Sequence, residues 1–318
     1  MRIAILDDYL NAAKTLADWS QIESEHDVVV FDRHIRDMQD RVKLLRDFDV
    51  LCMMRERMDC PRELIEALPA LKLICITGQN HRTLDFRAAA ERGIVVCRPV
   101  RRAIGSHATV ELAWGLILAL ARNLPGETWN MREGGWQSAL GVSLEGRTLG
   151  LLGLGRLGQR MVPTAKSFGM SVLAWSPNLT DERAEAAGAV RVDKQTLLRE
   201  CDFLSLHLVL GETTRSIVGR NDLALLKPGA YLVNTARSGL VDTEALMQAL
   251  EQGRLAGAAI DVFEEEPLPE NAAIRRCKNL ILTPHIGYSV VEQMRDFYRD
   301  TVDNITGYLR GKPINVIV

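Results

Sequence analysis

Short apolar runs alternate with amphipathic segments from the first residues of the chain onward. In the first hundred residues, stretches of helical spacing such as 61–68 and 84–91 separate the runs. The runs themselves occupy residues 3–6, 28–31, 50–53, 71–77 and 94–97. Continuous Val, Ile and Leu without polar alternation is typical of parallel strands that helices cover on both faces. The pattern therefore predicts an α/β domain over residues 1–99.

The same alternation resumes in the second half of the chain. Its apolar runs occupy residues 150–152, 171–175, 190–192, 203–208, 230–234, 258–262 and 280–283. Helical patterns between them complete a second doubly wound sheet. A last helical pattern over 290–309 follows, and its return to the first domain would make that domain discontinuous. We predict an α/β fold of two doubly wound parallel-sheet domains.

Between the two series lies an apolar helical pattern over 105–122, followed by a predicted loop over 123–147 that contains Pro125 and Gly141. The helix is too apolar to have a single buried face, so we interpret it as buried between domains or subunits. The helix and the loop that follows it together predict a dimerisation arm at the start of the second domain, and hence a homodimer.

The most informative motif opens the second domain. An apolar run leads into Gly153-x-Gly155-x-x-Gly158, and a helical pattern follows up to Gly169. In a strand–turn–helix of this kind, Gly153 permits the turn, Gly155 lets a pyrophosphate approach the backbone, and Gly158 lets the helix pack closely on the strand. The motif predicts a dinucleotide site, although a purely structural glycine turn is the alternative.

Three charged residues follow predicted strands of the second domain, where open α/β sheets bind ligands. Arg237 has the two-pronged geometry that grips a carboxylate, and His285 titrates near neutrality and can exchange a proton with a carbonyl oxygen. Glu266 could support the imidazole. Taken singly, each residue also has a purely structural interpretation. Arg237 could be a charge that flanks a helix, His285 a capping residue and Glu266 part of a solvated face. Their shared placement favours an active site.

Charge and composition narrow the choice of partners. The net charge of −2 argues against nucleic acid or a membrane surface as the main partner. The first eight residues include two acidic side chains, which is not typical of a signal peptide. The longest uncharged apolar stretch, 112–121, is too short to span a bilayer. We expect a cytoplasmic protein. The six cysteines form no C-x-x-C pair and the histidines are scattered, so we predict reduced core thiols and no metal site.

The sequence resembles the D-specific 2-hydroxyacid dehydrogenases, which include phosphoglycerate dehydrogenase and the glyoxylate/hydroxypyruvate reductases. The resemblance covers nearly the whole chain and is densest over 149–287. Its motifs are the glycine turn, 207–214, 226–242 with Asn234-Thr-Ala-Arg237, Asp261-Val-Phe-Glu-Glu-Glu266-Pro267, and Pro284-His285-Ile-Gly287.

The resemblance implies a role for each matching residue. It implies a Rossmann cofactor domain over 100–286, inserted into a flavodoxin-like catalytic domain formed by 1–99 and 287–318. The implied catalytic trio is Arg237 as carboxylate anchor, Glu266 as imidazole partner and His285 as acid/base. The implied substrate contacts are Thr77, Gly78, Gln79 and Asn80, and we add Arg55 as a candidate contact because of its charge. The implied cofactor contacts are Gly153, Gly155, Arg156, Leu157, Gly158, Ser176, His207, Thr213, Thr235, Ala236, Asp261 and Gly287, with Asp261 on the nicotinamide carboxamide.

Two departures from the family pattern bear on specificity. Members of the family that use NAD carry an aspartate near the position of Ser176, and without that repulsive charge we favour NADP over NAD. Asn178 and Arg183 are candidate partners of a 2′-phosphate, unless Arg183 is merely solvated. The charges of residues 54–57 could select a phosphate or a second carboxylate, or simply form a solvated loop.

We therefore predict an NAD(P)-dependent oxidoreductase that interconverts a small 2-oxo acid and a D-2-hydroxy acid. A cofactor-sensing protein similar to the corepressors that resemble this family is the alternative from another class, and only a turnover assay separates the two. A formate dehydrogenase is a further alternative, which the glutamate at Glu266 disfavours.

Overall fold

Two parallel β-sheets organise the structure, which is a computed structural model that describes residues 1–100 and 107–318. The chain divides into two units, Met1–Gly105 with Val290–Val318, and Ser106–Ser289. The predicted fold of two doubly wound parallel-sheet domains is confirmed.

The first unit contains a five-stranded sheet in the order β2-β1-β3-β4-β5, which is the flavodoxin-like order. Its strands are β1 (Arg2–Ile5), β2 (Asp27–Val30), β3 (Val50–Met53), β4 (Leu73–Ile76) and β5 (Val95–Cys97). Its helices are α1 (Ala13–Leu16), α2 (Ser20–Glu23), α3 (Met38–Leu45), α4 (Arg62–Ala67), α5 (Phe86–Glu91) and α13 (Val291–Leu309). Helix α13 packs against α1 and β4, so the end of the chain belongs to the unit that its beginning forms.

The second unit contains a seven-stranded sheet in the order β12-β11-β10-β9-β6-β7-β8, and its chain order reverses between β6 and β9. Its strands are β6 (Thr148–Leu152), β7 (Ser171–Trp175), β8 (Val190–Arg191), β9 (Phe203–Leu206), β10 (Ala230–Asn234), β11 (Leu255–Ile260) and β12 (Leu280–Leu282). Its helices are α6 (Ala108–Ala121), α7 (Leu124–Arg132), α8 (Arg156–Ser167), α9 (Asp181–Ala186), α10 (Lys194–Glu200), α11 (Arg220–Leu225) and α12 (Thr243–Glu251). Ligands of such sheets bind beyond the carboxyl ends of the strands, near the reversal.

The predicted loop over 123–147 is partly wrong, because Leu124–Arg132 is helical. Pro125 stands at the start of this helix, where the missing N–H is not needed, so the proline initiates the helix and does not break it. The start of the predicted helix over 105–122 falls partly outside the described residues. Its described part, Ala108–Ala121, is helical.

The structure shows what the apolar helix packs against within its own unit. Helix α6 packs against β10, β11 and α8 of its own unit, which accounts for its apolar character without a partner. The exposed apolar side chains follow it: Trp129 is 66% exposed, Trp136 73% and Leu140 100%. Any partner surface is therefore better placed on residues 124–140 than on α6.

Two findings concern the described residues as a whole. No helix within 1–100 or 107–318 has the length and apolar character needed to cross a membrane. In the same ranges, no three His, Cys, Asp or Glu side chains are arranged to hold a metal ion.

Candidate active site

The carboxylate of Glu266 and the imidazole of His285 form a direct pair. His285 Nδ1 lies 2.5 Å from Glu266 Oε2, and the backbone N–H of Phe263 donates to Glu266 Oε1 at 2.8 Å. The two side chains are 31% and 25% exposed. Because an ionised carboxylate can only accept, Nδ1 carries the donated proton and Nε2 is the nitrogen that can exchange a proton with a ligand.

The backbone of His285 is strained. Its φ is +52°, in the left-handed region that residues other than glycine rarely adopt. Strain of this kind is concentrated at functional sites and persists where neighbouring groups fix it. The ring of Tyr288 packs edge-on against the imidazole, with centroids 5.7 Å apart.

Asp261 fixes the turn that carries His285. Its fully buried carboxylate accepts from Thr283 Oγ1 at 2.6 Å and from the backbone N–H groups of Ile286 and Gly287 at 2.9 Å each. Burial raises the pKa of Asp261. Thr109 Oγ1 adds a bond to the Gly287 carbonyl at 2.8 Å. The contact of Asp261 with a nicotinamide carboxamide stays a prediction, since the structure shows this carboxylate holding the His285 turn.

Arg237 stands in the turn after β10, which is held by Asn234. The Asn234 side chain accepts from the Ala236 N–H at 3.0 Å and donates to the Arg237 carbonyl at 2.9 Å. The guanidinium Nη1 of Arg237 donates to the Ala236 carbonyl at 2.7 Å. A backbone bond from Asp261 to the Asn234 carbonyl ties this strand end to the strand end that leads to Glu266. Arg237 and the Glu266–His285 pair thus belong to the same edge of the sheet.

The local geometry of the turn requires glycine at two of its three glycine positions. Gly153 has φ +105°, and a Cβ there would lie 2.6 Å from the His207 carbonyl carbon. A Cβ on Gly158 would overlap the Gly153 carbonyl oxygen. Gly155, in contrast, has no atom within 4 Å of its Cβ position and is exposed at the start of α8, next to Arg156 and Leu157. The fold itself does not require a glycine at 155.

The segments after β9 and β10, the next strands along the sheet from the glycine turn, carry residues that suit a nucleotide ligand. The hydroxyl of Thr235 is buried and has no hydrogen-bond partner among the described residues, as expected for a group that awaits a ligand. Burial lowers the pKa of His207 to about 4, and Ser205 Oγ lies 2.9 Å from its Nε2. Ala236 is half-buried beside Thr235, and Thr213 is exposed in a short 3₁₀ helix.

Ser176 lies beyond the end of β7, as predicted, and its hydroxyl accepts from the Leu154 N–H at 3.2 Å. The Arg183 guanidinium bonds to the Asn178 carbonyl at 3.0 Å, which brings a cation to the loop that Ser176 begins. Asp181, the first acid beyond the strand, bonds to Arg191.

The predicted substrate residues lie in the first unit. The Arg55 N–H donates to Thr77 Oγ1 at 2.7 Å, and a Cβ on Gly78 would lie 3.3 Å from Arg55 Nη1, so the loops after β3 and β4 touch. Gln79 donates to the Pro99 carbonyl at 2.9 Å. Asn80 is exposed.

Sequence reasoning missed the supporting residues Thr283, Thr109, Phe263 and Asn234, and it did not assign a structural role to Asp261. Asn234, Phe263 and Thr283 stand inside or beside the motifs already quoted, so their position at strand ends was the available signal. Nothing in the sequence linked Thr109 to Gly287, 178 residues away.

Comparison with known proteins gives consistent matches over most of the chain. A sequence model of the "D-isomer specific 2-hydroxyacid dehydrogenase, NAD binding domain" matches residues 114–287. The chain is 38% identical to the glyoxylate reductase of Thermococcus litoralis over 285 residues, which cover 86% of this chain and 84% of that protein.

A second relative is longer than this chain. The D-3-phosphoglycerate dehydrogenase of Methanocaldococcus jannaschii is 39% identical over 277 residues, or 86% of this chain and 52% of that protein. The chain therefore spans about half the length of this relative. Among solved structures, a phosphoglycerate oxidoreductase from Vibrio cholerae O395 matches with a TM-score of 0.90 and 34% identity, over 98% of this chain and 99% of that one.

Proposed function

Because the chain belongs to the D-isomer-specific 2-hydroxyacid dehydrogenase family, a family of NAD-dependent oxidoreductases acting on CH–OH groups, we propose that it interconverts a small 2-oxo acid and a D-2-hydroxy acid. The observation that carries the proposal is the His285–Glu266 pair on the sheet that also bears the glycine turn. The glyoxylate reductase among the relatives supports a substrate of this size.

His285 is the proposed acid/base. In reduction, Nε2 gives a proton to the carbonyl oxygen of the substrate, and in oxidation it takes the proton of the hydroxyl group. Glu266 accepts from Nδ1–H at 2.5 Å, which fixes the ring orientation and the tautomer that leaves Nε2 facing a ligand. Asp261 and Thr109 keep the turn of His285 in its strained conformation.

Arg237 is the proposed carboxylate anchor. A guanidinium can make two parallel hydrogen bonds to a carboxylate, which orients the adjacent carbonyl group as well as binding it. In the first unit, Arg55 and the loop of Thr77 to Asn80 are proposed to contact the substrate, the loop through the backbone N–H groups of Gly78 to Asn80, since the Thr77 N–H already donates to the Met53 carbonyl at 3.2 Å. The charge of Arg55 favours an acid with a distal phosphate or a second carboxylate, and both remain open.

The nicotinamide cofactor, once bound, supplies or accepts the hydride. We propose that Gly153, Gly155, Gly158, Arg156 and Leu157 receive its pyrophosphate at the start of α8. We propose that its adenosine half contacts Ser176, His207 and Thr213. Its nicotinamide is proposed to contact Thr235, Ala236, Asp261 and Gly287.

We further propose that NADP is preferred over NAD. No carboxylate stands at Ser176, and Arg183 lies at the same loop through its bond to Asn178. An uncharged residue leaves the 2′-phosphate without repulsion, and a guanidinium favours it. Comparison of kcat/KM for NADPH and NADH tests the preference, with S176D expected to shift it toward NADH and R183A to weaken NADPH alone. A wild-type preference for NADH above tenfold would contradict the proposal.

A homodimer through residues 124–140 is also proposed. Trp129, Trp136 and Leu140 expose more apolar surface than isolated side chains in a monomer usually do. A C2 dimer would bury this surface against its own copy.

A panel of 2-oxo acids, including glyoxylate, hydroxypyruvate and phosphohydroxypyruvate, with both reduced cofactors tests the reaction. We expect at least one acid to be reduced to its D product, and H285Q to abolish turnover while cofactor binding, measured by titration, stays within threefold. Cofactor binding without turnover of any acid would favour the cofactor-sensing alternative and overturn the enzyme proposal.

A further inference from the structure

A buried carboxylate–imidazole pair lies at the carboxyl end of β1, outside the groups that the proposed reaction uses. Asp7 and His34 have side chains only 1% and 8% exposed, and His34 Nδ1 lies 2.9 Å from Asp7 Oδ1. On the other side of the ring, Arg41 Nη2 lies 3.5 Å from His34 Nε2. Because a guanidinium only donates, Nε2 accepts and the proton on Nδ1 points to Asp7.

Asp7 itself has a strained backbone. Its φ is +56°, a left-handed conformation in a residue other than glycine. The carboxylate is anchored by His34 and by the hydroxyl of Tyr9, which donates to Oδ1 at 3.3 Å. These bonds fix the direction of the Asp7 carbonyl, and conformations of this kind are concentrated at functional sites.

The Asp7 carbonyl is bonded to Arg57. Arg57 Nη1 donates to the Asp7 carbonyl oxygen at 2.5 Å, and the guanidinium carbon lies 4.5 Å from the centroid of the Tyr9 ring. Asp7 thus holds the guanidinium directly through its carbonyl and indirectly through Tyr9. The guanidinium plane is thereby fixed, which matters because its hydrogen bonds to an anion depend on orientation.

Arg57 lies in the same loop as Arg55, between β3 and α4, and Arg55 bonds to Thr77 of the predicted substrate loop. Both arginines follow β3, whose neighbour in the sheet is β1, and the chain order of the sheet 2-1-3-4-5 reverses between these two strands. This reversal is where sheets of this type bind ligands. The Asp7–His34 pair therefore lies at the edge of the sheet where the distal part of a substrate would bind.

We propose that Asp7 and His34 are positioning residues for Arg57, and that through Arg57 they set the discrimination between 2-oxo acids with different distal groups. The inference rests on the proposed function. Neither residue takes part in the chemical step. Their substitution should therefore change the KM of some substrates more than that of others, and with it the ratios of kcat/KM, without a uniform loss of kcat.

Two substitutions at Asp7 separate its side chain from its backbone. D7G removes the carboxylate but keeps the left-handed backbone available. D7N keeps an oxygen that accepts from His34 and Tyr9, and asparagine tolerates the left-handed region, so it is the conservative rescue variant. H34L removes the imidazole donor, and R57A provides the reference state without the guanidinium.

The test measures kcat and KM of the full chain for glyoxylate, hydroxypyruvate and phosphohydroxypyruvate, with each kcat/KM divided by that for glyoxylate, which has no distal group. We expect D7G and H34L to change at least one ratio by tenfold or more through KM, and D7N to stay within threefold of the wild type. D7G combined with R57A should change the ratios no further than R57A alone, because both act through one group.

Ratios in D7G and H34L that equal those of the wild type would overturn the proposal. So would an equal loss for all three acids, because that outcome describes a structural role. If D7G does not fold, H34L and D7N decide in the same way. A wild type that reduces none of the acids overturns the proposed function, and this inference with it.

Discussion

The three glycines of the dinucleotide motif offer a sharp test, because the structure separates a glycine that the fold needs from one that it does not. A Cβ on Gly158 would overlap the Gly153 carbonyl oxygen, whereas the Cβ position of Gly155 is open and its φ is an ordinary −81°. We therefore predict that G158A destabilises the protein and that G155A leaves the stability intact but weakens cofactor binding.

The magnitudes follow from the local geometry. Overpacking of a Gly158 Cβ against the Gly153 backbone costs about 3 kcal/mol, which lowers the Tm of a unit of this size by about 6–12 °C. In G155A, the lower chain entropy of unfolded alanine stabilises by about 0.4–1 kcal/mol, and the loss of glycine at the N-cap costs a similar amount, so the net change is within about 1 kcal/mol. Loss of one hydrogen bond to a charged pyrophosphate costs about 1.5–3 kcal/mol, or at least about tenfold in Kd.

The assay measures Tm by thermal unfolding and Kd for NADPH and NADH by titration. G115A serves as the matched control, since Gly115 lies exposed in α6 and, apart from its own helix backbone, no atom of the described residues lies within 4 Å of its Cβ position. This control should keep the wild-type Kd and gain up to about 1 kcal/mol of stability. Wild-type Kd values in G155A for both cofactors would refute the assignment of Gly155 to the pyrophosphate site.

Three further predictions concern other parts of the molecule. R237K should lower kcat/KM nearly as much as R237A, by about 100-fold or more, because lysine keeps the charge but cannot make the two parallel hydrogen bonds that orient the substrate. A lysine variant with most of the wild-type kcat/KM would show that only the charge matters. Burial lowers the pKa of His207 to about 4, so the unfolded chain binds a proton below pH 6.5 that the folded chain does not. Stability should therefore fall by about 2 kcal/mol from pH 7 to pH 5 through this residue, and urea unfolding of H207Q at the two pH values should show a smaller difference than the wild type. Sedimentation should show a dimer that W129S/W136S dissociates, and a wild-type species near 35.4 kDa alone would contradict the homodimer.

The strands were predictable because most are short, continuous apolar runs, and the central ones are buried, whereas β2, β8 and β12 are partly buried or exposed. All four residues of β3 and of β4 are buried, and the predicted 50–53 coincides with Val50–Met53. The predicted ends differ by up to three residues at β11, which begins at Leu255 and not at 258. Hydrophobicity reports burial, whereas a strand ends where its hydrogen-bond ladder to the neighbouring strand ends, and the neighbour is not visible in local sequence.

The helix Leu124–Arg132 was missed for a related reason. Proline and glycine within Leu124-Pro-Gly-Glu lower the helix propensity of any window that contains them. Propensity does not distinguish the first turn, where proline is tolerated, from the interior, where it is not. The sequence also offered no means of placing the apolar face of α6, because β10 and β11, against which it packs, lie more than a hundred residues further along the chain.

The residues of the candidate site were easier to name than their supports. Arg237, Glu266 and His285 carry side chains suited to the chemistry, and they follow strands that the pattern predicts. Asn234 supports its own turn through local bonds to residues 236 and 237. The role of Asp261 depends instead on parallel strands being adjacent, since its side chain bonds to backbone beyond the end of the neighbouring strand β12. That adjacency follows from the strand order, which local sequence does not determine.

The backbone strain in the two sheets follows one physical rule. Asp7, Arg55 and His285 each stand in the left-handed region just beyond a strand. Each such residue costs about 1–3 kcal/mol, which contacts with neighbouring residues must offset. The compensation comes from contacts around the same edge: Arg57 on the Asp7 carbonyl, Thr77 on the Arg55 N–H, and Asp261 on the residues after His285. The strained conformations at the carboxyl edges are thus held by contacts that form when neighbouring strands assemble. For this reason, local sequence predicts the strands but does not predict the backbone geometry of the residues that follow them.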